Sequence, residues 1–178
     1  MKFRPYQKED SSTIIRLFTS VFSDSEGAAE GALIGRLASA LLETTDEHDL
    51  FNFVAEVDGK IVGSIFFSRL SFEDAIQAFI LAPVAVLTGY QGQGIGQALI
   101  RHGLDELRTC GVRVVLTYGD PRFYGKLGFQ PVSHHVIRPP FELSFPEGWL
   151  GQSLDDAPIE SLSGRCGCVA ALNHPVYW

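Results

Sequence analysis

The 178-residue chain contains few methionines, tryptophans and cysteines: one methionine, two tryptophans and three cysteines. The cysteines, which would form disulfides or bind zinc, are Cys110, Cys166 and Cys168. An odd number of cysteines does not form a fully paired disulfide framework, and a single Cys-x-Cys lacks the second pair of ligands that a zinc site needs. We therefore expect reduced, mostly buried thiols in a cytosolic protein and no bound metal.

Long apolar runs and an excess of basic charge are also missing. No stretch approaches the roughly 20 apolar residues of a membrane span, and the first residues lack a signal-peptide pattern. The chain has 14 basic and 21 acidic side chains, for a net charge of −7. Because a general nucleic-acid-binding protein needs a basic face, the sequence predicts a cytoplasmic protein whose partners are neither nucleic acids nor membranes.

Hydrophobic and turn patterns predict an α/β protein with a mixed sheet, forming a single domain over residues 1–178. Helical stripes cover residues 11–22 and about 27–43, with a polar link at 23–26. Alternation over residues 51–57, the Asp58-Gly59 pair and a return strand at 61–68 indicate a β-hairpin. Residues 135–178 are less regular, and we expect either an edge strand or an extended arm at 138–145 and a last strand at 166–172.

A glycine-rich loop, Gln91-Gly92-Gln93-Gly94-Ile95-Gly96, separates an apolar strand pattern at 78–87 from a helical pattern at 97–107. Unpaired N–H groups at a helix start, together with the helix dipole, favour a phosphate or pyrophosphate. The loop is not a P-loop, because no Lys-Ser or Lys-Thr follows it, and its spacing fails the dinucleotide fingerprint. Taken alone, it also fits a tight strand-to-helix turn that binds nothing.

The glycine loop matches a more specific signature when it is counted from Gln91. Gln91-x-x-Gly94-x-Gly96 resembles the pyrophosphate-binding signature of the GNAT N-acetyltransferase superfamily, and residues 123–129 (Phe-Tyr-Gly-Lys-Leu-Gly-Phe) resemble its Tyr-x-x-x-Gly-Phe segment. The resemblance covers about residues 1–135. It implies the GNAT fold, a mixed central sheet with a splayed pair of parallel strands flanked by helices. It also implies acetyl-CoA as co-substrate, bound by Gln91, Gly92, Gln93, Gly94, Ile95 and Gly96.

Pro83 interrupts the apolar run at 78–87, where a proline in a central strand would remove a ladder hydrogen bond. A bulge or splay at Pro83 would resolve the conflict, and an edge strand is the alternative. The resemblance implies that the strand parts from its neighbour here. It further implies that the backbone of Ala85 and Val86 binds the cofactor and that an N–H near Val86 stabilises the oxyanion.

Tyr124 matches the family's general acid, which protonates the departing CoA thiolate. A phenol, with a pKa near 10 in solution, suits that leaving group, although Phe123, Tyr124 and Phe129 also fit a purely hydrophobic role. Asp120 stands where many relatives carry a cofactor-contacting Asn, and it can instead cap a helix starting at Pro121.

No general base can be assigned from the sequence. The candidate carboxylates are Glu26, Glu30, Glu73 and Asp74, each of which reads more simply as a solvated surface group. His134 and His135 are weaker acid/base candidates. For Trp149, Tyr177 and Trp178 we favour packing over the acceptor site or a homodimer interface.

The resemblance therefore implies an acyltransferase of class EC 2.3.1 that moves an acetyl group to a primary amine of a small molecule or protein. One alternative is a GNAT-fold module that binds or senses acyl-CoA with little catalysis, which the unassigned base leaves open. A second is a nucleotide-dependent transferase, against which the missing lysine after the glycine loop argues.

Overall fold

The structure, a computed structural model, describes all residues from Met1 to Trp178. The eight strands are β1 (Lys2–Pro5), β2 (Leu50–Val57), β3 (Lys60–Ser71), β4 (Ala78–Val86), β5 (Val114–Tyr118), β6 (Gln130–Pro131), β7 (Trp149–Ser153) and β8 (Gly167–Cys168). The helices are α1 (Ser11–Glu26), α2 (Ala28–Thr44), α3 (Ile95–Thr109) and α4 (Pro121–Tyr124). The sheet order is β1-β2-β3-β4-β5-β7-β6, with β8 beside β3. Only the β4–β5 pair is parallel among the registers described, which confirms the predicted mixed sheet.

The β2–β3 hairpin forms where the sequence predicts it. Asp58 and Gly59 connect the two strands with φ values of 50° and 76°. Positive φ at both central residues is typical of a type I′ turn, whose twist matches that of the flanking strands. Asp58 tolerates this conformation better than most side chains, and glycine adopts it freely.

Helices α1 and α2 extend beyond their predicted bounds. The expected polar link at 23–26 is wrong, because α1 continues to Glu26 and only Gly27, at φ 99°, separates the helices. A Cβ atom on Gly31 would collide with Ser23, and one on Gly35 would collide with Thr19. These two glycines inside α2 therefore let the helix backbones approach closely, a tertiary role that helical periodicity does not reveal.

Strand β4 passes through Pro83 without a break and lies between β3 and β5, so the edge-strand alternative is wrong. Its parallel register with β5 runs only from Ala78 opposite Val114 to Leu81 opposite Thr117. Strand β4 thus continues for five residues after its last partner on β5. The predicted splay of the parallel pair is confirmed, and it begins just ahead of the proline.

The C-terminal segment contains less strand structure at 138–145 and 166–172 than the sequence predicts. Residues 138–145 form no strand, and their only ladder contact is an isolated parallel bridge between Arg138 and Arg165. The expected last strand is reduced to β8, which pairs with Leu70 and Ser71. Consecutive prolines at 139 and 140 remove two backbone donors, which accounts for the missing edge strand. Strand β7, which the sequence analysis missed, pairs along the whole of β5.

The chain forms two compact units, residues 1–66 with 83–103, and residues 67–82 with 104–178. In the first unit, the rings of Phe18 and Phe66 pack 5.4 Å apart and are fully buried. No helix of the chain is long and apolar enough to cross a membrane.

In the second unit, Trp149 and Trp178 are buried with their rings 6.2 Å apart. Their indole N–H groups donate to the carbonyls of Ile137 (2.9 Å) and Leu172 (3.0 Å), respectively. The expected packing role of these tryptophans is confirmed, whereas Tyr177 is only half-buried. All three cysteines are free, but only Cys166 is buried, since Cys168 is half-buried and Cys110 exposed, so the expectation of mostly buried thiols is wrong.

Candidate active site

The glycine loop leaves β4 through a short 3-10 turn at Thr88–Tyr90 and ends at the first residue of α3. Gly92 and Gly94 have φ values of +74° and +78°, a region that side-chain-bearing residues adopt only at a cost. A Cβ atom at either position would meet no atom within 4 Å. The backbone conformation therefore requires both glycines, and their open side is accessible to a ligand.

The start of α3 has unpaired hydrogen-bond donors. The helix ladder begins where Ala98 N–H donates to the carbonyl of Gly94 at 3.0 Å. The N–H groups of Ile95, Gly96 and Gln97 precede that bond, and the first N–H groups of a helix have no intrahelical acceptor. With the helix dipole, these groups make the loop suited to an anion.

Two side chains brace the loop. Gln91 donates from Nε2 to the carbonyl of Val86 at 2.9 Å, so its amide is tied to the last residue of β4. Thr88 donates from Oγ1 to Asp24 Oδ2 at 2.6 Å, which fastens the 3-10 turn to α1. The sequence motif singles out Gln91 but not the Thr88–Asp24 bond, which joins positions far apart in the chain.

The end of β4 is anchored on its β3 side. Leu87 N–H donates to the carbonyl of Val62 at 2.8 Å, and a Cβ atom on Gly63 would lie 3.3 Å from the carbonyl oxygen of Ala85. Ala85 is buried and Val86 half-buried. Neither residue has a register partner on β5. On the β5 side this segment therefore has no ladder partner, and the Val86 carbonyl is bound there only by the side chain of Gln91.

In the second unit, α4 places Tyr124 at its last residue. The Asp120 carboxylate accepts a hydrogen bond from the backbone N–H of Arg122 at 2.9 Å. It also forms an ion pair with the guanidinium group of Arg122 at 3.1 Å. The side-chain hydrogen bond from Arg122 lowers the pKa of Asp120. Pro121 follows at the first helical position, where it is favoured. The expectation that Asp120 caps this helix is confirmed.

Tyr124 is half-buried in an aromatic setting. Its ring packs edge-on against Phe123 and Phe129, with centroids 5.0 and 5.7 Å away. Burial raises the pKa of Tyr124, and a side-chain hydrogen bond with Thr117 partly opposes that increase. Since burial disfavours the charged phenolate, the neutral phenol, which can donate a proton, is the stable form at physiological pH.

None of the carboxylates and histidines considered as a general base forms a described contact with Tyr124. Asp74 accepts from the backbone N–H of Ser163 at 2.7 Å, and Glu73 lies against Gly164. Glu26, His134 and His135 are exposed. The chain contains no group of three or more His, Cys, Asp or Glu side chains that could hold a metal ion. No general base follows from these positions.

The glycine loop, strands β4 and β5 and helix α4 all lie within a segment that matches a known protein family. Residues 37–131, more than half of the chain, match the family model described as "Acetyltransferase (GNAT) domain". The chain belongs to the GNAT acetyltransferases. It is accordingly an acyltransferase, of class EC 2.3.1.

Relatives of this GNAT chain extend the match over nearly its whole length. It is 33% identical over 172 residues to an uncharacterized N-acetyltransferase, YjhQ of Escherichia coli K12, covering 93% of this chain and 91% of the relative. The crystal structure of Escherichia coli YhbS in complex with CoA has a TM-score of 0.80 and 27% identity, covering 98% and 92% of the two chains. A Brucella melitensis GNAT acetyltransferase in complex with acetyl-CoA has a TM-score of 0.70 and 27% identity, covering 96% of each chain.

Proposed function

We propose that this protein transfers the acetyl group of acetyl-CoA to a primary amine of a small molecule or a protein. The observation that carries the proposal is the loop at Gln91–Gly96, whose unpaired N–H groups suit a pyrophosphate. Two structural relatives that share 27% of their sequence with the chain contain CoA and acetyl-CoA. In this proposal the family match, which takes residues from both units, reflects one catalytic domain spanning residues 1–178.

The proposed reaction is direct attack of the neutral amine nitrogen on the thioester carbonyl carbon. The new C–N bond forms first and gives a tetrahedral oxyanion. The C–S bond then breaks as the carbonyl re-forms, and Tyr124 donates its phenolic proton to the departing thiolate. The phenolate is then reprotonated from solvent, and the proton lost by the amine goes to water. The phenol of Tyr124 is protonated before transfer, and burial, which raises its pKa, keeps it so at neutral pH.

The backbone of Ala85 and Val86 is proposed to hold the pantetheine arm and to stabilise the oxyanion. Support comes from the β4–β5 register, which stops at Leu81 and leaves the later β4 residues without partners on that side. Preorganised N–H donors of this kind contribute strongly to acyl transfer. The cytoplasmic location and a homodimer remain predictions of the sequence.

The decisive experiment measures CoA release with a panel of amines for the wild type and Tyr124→Phe. We expect the substitution to lower kcat by about 10²- to 10⁴-fold, the usual contribution of a general acid, with the Kd for acetyl-CoA unchanged. Tyr177→Phe is the matched control, since it removes another half-buried phenol of the same unit. An unchanged rate in Tyr124→Phe removes this residue from the mechanism.

The same assay addresses the binding or sensor alternative, which the absence of an identifiable base favours. Tight binding of acetyl-CoA without turnover on any amine would support that alternative. Turnover by the wild type with any primary amine would exclude it.

A further inference from the structure

A cavity of about 500 Å³ is lined by residues of the connection between β6 and β7 and, from the segment before β8, by Arg165. Its charged and titratable lining side chains are His134, His135, Arg138, Glu142 and Arg165, and Phe141 supplies an aromatic wall. We refer to it as the Arg138/Arg165 pocket. Its volume falls within the range of roughly 300–1,000 Å³ that small-molecule sites occupy.

The backbone holds the two arginines next to each other. Arg138 and Arg165 form an isolated parallel bridge, and Cys166 N–H donates to the carbonyl of Arg138 at 3.2 Å. A further bond, from Leu162 N–H to the carbonyl of Val136 at 2.9 Å, ties the same two segments together. Cys166, beside the bridge, is buried. The fold therefore fixes the backbone positions from which the two exposed arginine side chains reach the same cavity.

Neither arginine has a carboxylate partner, unlike other arginines of the same unit. Arg108 forms an ion pair with Asp105 (2.7 Å), Arg122 with Asp120 (3.1 Å) and Arg113 with Asp155. Glu142 lines the same cavity but forms no ion pair with Arg138 or Arg165. In a chain with net charge −7, these two arginines at paired backbone positions keep their positive charge without a carboxylate partner, so that charge is available to an anion.

We propose that the Arg138/Arg165 pocket binds a small organic anion, a phosphate monoester or a carboxylate with an apolar body. The planar guanidinium groups bind such oxygens through paired N–H donors, and His134 and His135 add further N–H donors. Phe141, whose ring is 6.3 Å from the buried Trp178, provides a surface for the apolar body. This site is additional to acetyl transfer and does not depend on it.

Calorimetric titration with phenyl phosphate, phenylacetate and the neutral benzyl alcohol tests the proposal. Each titration is done with saturating CoA, which fills the glycine loop and removes it as a competing anion site. We expect at least one of the two anions to bind with CoA present and benzyl alcohol not to bind. The ratio of the two anion affinities separates a phosphate ligand from a carboxylate ligand.

Charge-removing variants locate the binding. Arg138→Gln and Arg165→Gln should each weaken anion binding by about tenfold, as expected for the loss of a charge-assisted hydrogen bond. Glu142→Gln should strengthen it, because a like charge leaves the pocket. Arg16→Gln, on an exposed position of α1, removes the same charge elsewhere and should have no effect.

Four results would overturn the proposal. They are the absence of binding by both anions, equal binding of benzyl alcohol, equal weakening by Arg16→Gln, and an unchanged or lower affinity in Glu142→Gln. Acetyl-CoA affinity checks the folding of each variant. The predicted gain in Glu142→Gln keeps the test valid if an arginine variant fails to fold, since an unchanged or lower affinity in Glu142→Gln also contradicts the proposal.

Discussion

The ring of Tyr124 occupies the space into which a side chain at Gly119 would project. An ideal Cβ atom on Gly119 would lie 2.5 Å from Cε2 of Tyr124, well inside van der Waals contact. Gly119 follows β5 directly and precedes the cap residue Asp120. The position of the proposed general acid thus depends on the absence of a side chain five residues earlier.

Gly119→Ala should therefore lower kcat, because the added methyl group displaces the Tyr124 ring. The Kd for acetyl-CoA should change little, since the loop at Gln91–Gly96 is untouched. Steady-state kinetics and equilibrium binding measure the two effects. Gly125→Ala is the control, because a Cβ there meets nothing within 4 Å and its φ of −58° suits alanine. A full-rate Gly119→Ala enzyme would show that the ring position is not critical.

Gly94→Ala should weaken acetyl-CoA binding. Its φ of +78° costs an alanine about 1–2 kcal/mol, so the loop distorts or the protein loses stability by that amount. We expect the KM for acetyl-CoA to rise about tenfold, the equivalent of 1.4 kcal/mol, with a smaller change in kcat. Gly89→Ala, which has open space and no positive φ, should behave like the wild type. Equal KM values for all three proteins would count against the loop as the pyrophosphate site.

The pH dependence of turnover reports on Tyr124. Burial raises its pKa above the ordinary value of 10.0, so the phenol keeps its proton across neutral pH and loses it only in more alkaline solution. Loss of the general acid should therefore lower kcat only above about pH 10. The profile is measured from pH 7 upward, alongside Tyr124→Phe, whose low rate should lack that alkaline decrease. A decrease between pH 8 and 9 that persists in Tyr124→Phe would belong to another group.

Acid stability should depend on Asp155. Hydrogen bonds from Arg113 and, to a lesser extent, Ser153 and Ala157 lower its pKa from 3.8 to about 2. A carboxylate with a lowered folded-state pKa stabilises the protein above its unfolded-state value, and the effect is lost as pH falls toward 2. The urea midpoint of Asp155→Asn should therefore lie below that of the wild type at pH 6, and the difference should shrink between pH 4 and 2.

The control for Asp155→Asn is Glu160→Gln, which removes an exposed carboxylate of the same segment that has no described ion pair. A pH-independent difference for Asp155→Asn would mean that its bond to Arg113 does not affect folding.

Features specified by local chemistry could be predicted from the sequence. Asp58-Gly59 indicates its turn, Gly92 and Gly94 indicate their loop, and Pro121 indicates the start of α4, because each depends on the φ preference of the residue itself. The order of strands and helices from α1 to α3 follows from hydrophobic periodicity between such signals.

Features that depend on distant partners could not be predicted. Strand β7 contains Gly151, whose place opposite Leu116 leaves no room for a Cβ atom: one would lie 2.8 Å from Leu116 Cδ2. That requirement is visible only once β5 is beside it. Likewise, Arg138 and Arg165 become neighbours through a backbone bridge between separate loops, which no periodicity encodes.

Thr117 connects the end of the parallel ladder to the proposed acid. Fully buried, it donates from Oγ1 to the carbonyl of Leu81, its partner in the last register pair, at 2.9 Å, and its side chain also opposes the rise that burial causes in the pKa of Tyr124. A one-residue insertion or deletion within β5 would turn this hydroxyl to the opposite face of the sheet. The length of β5 is thereby constrained as tightly as the identity of a site residue, and changes of chain length in this region should be tolerated only outside the strand.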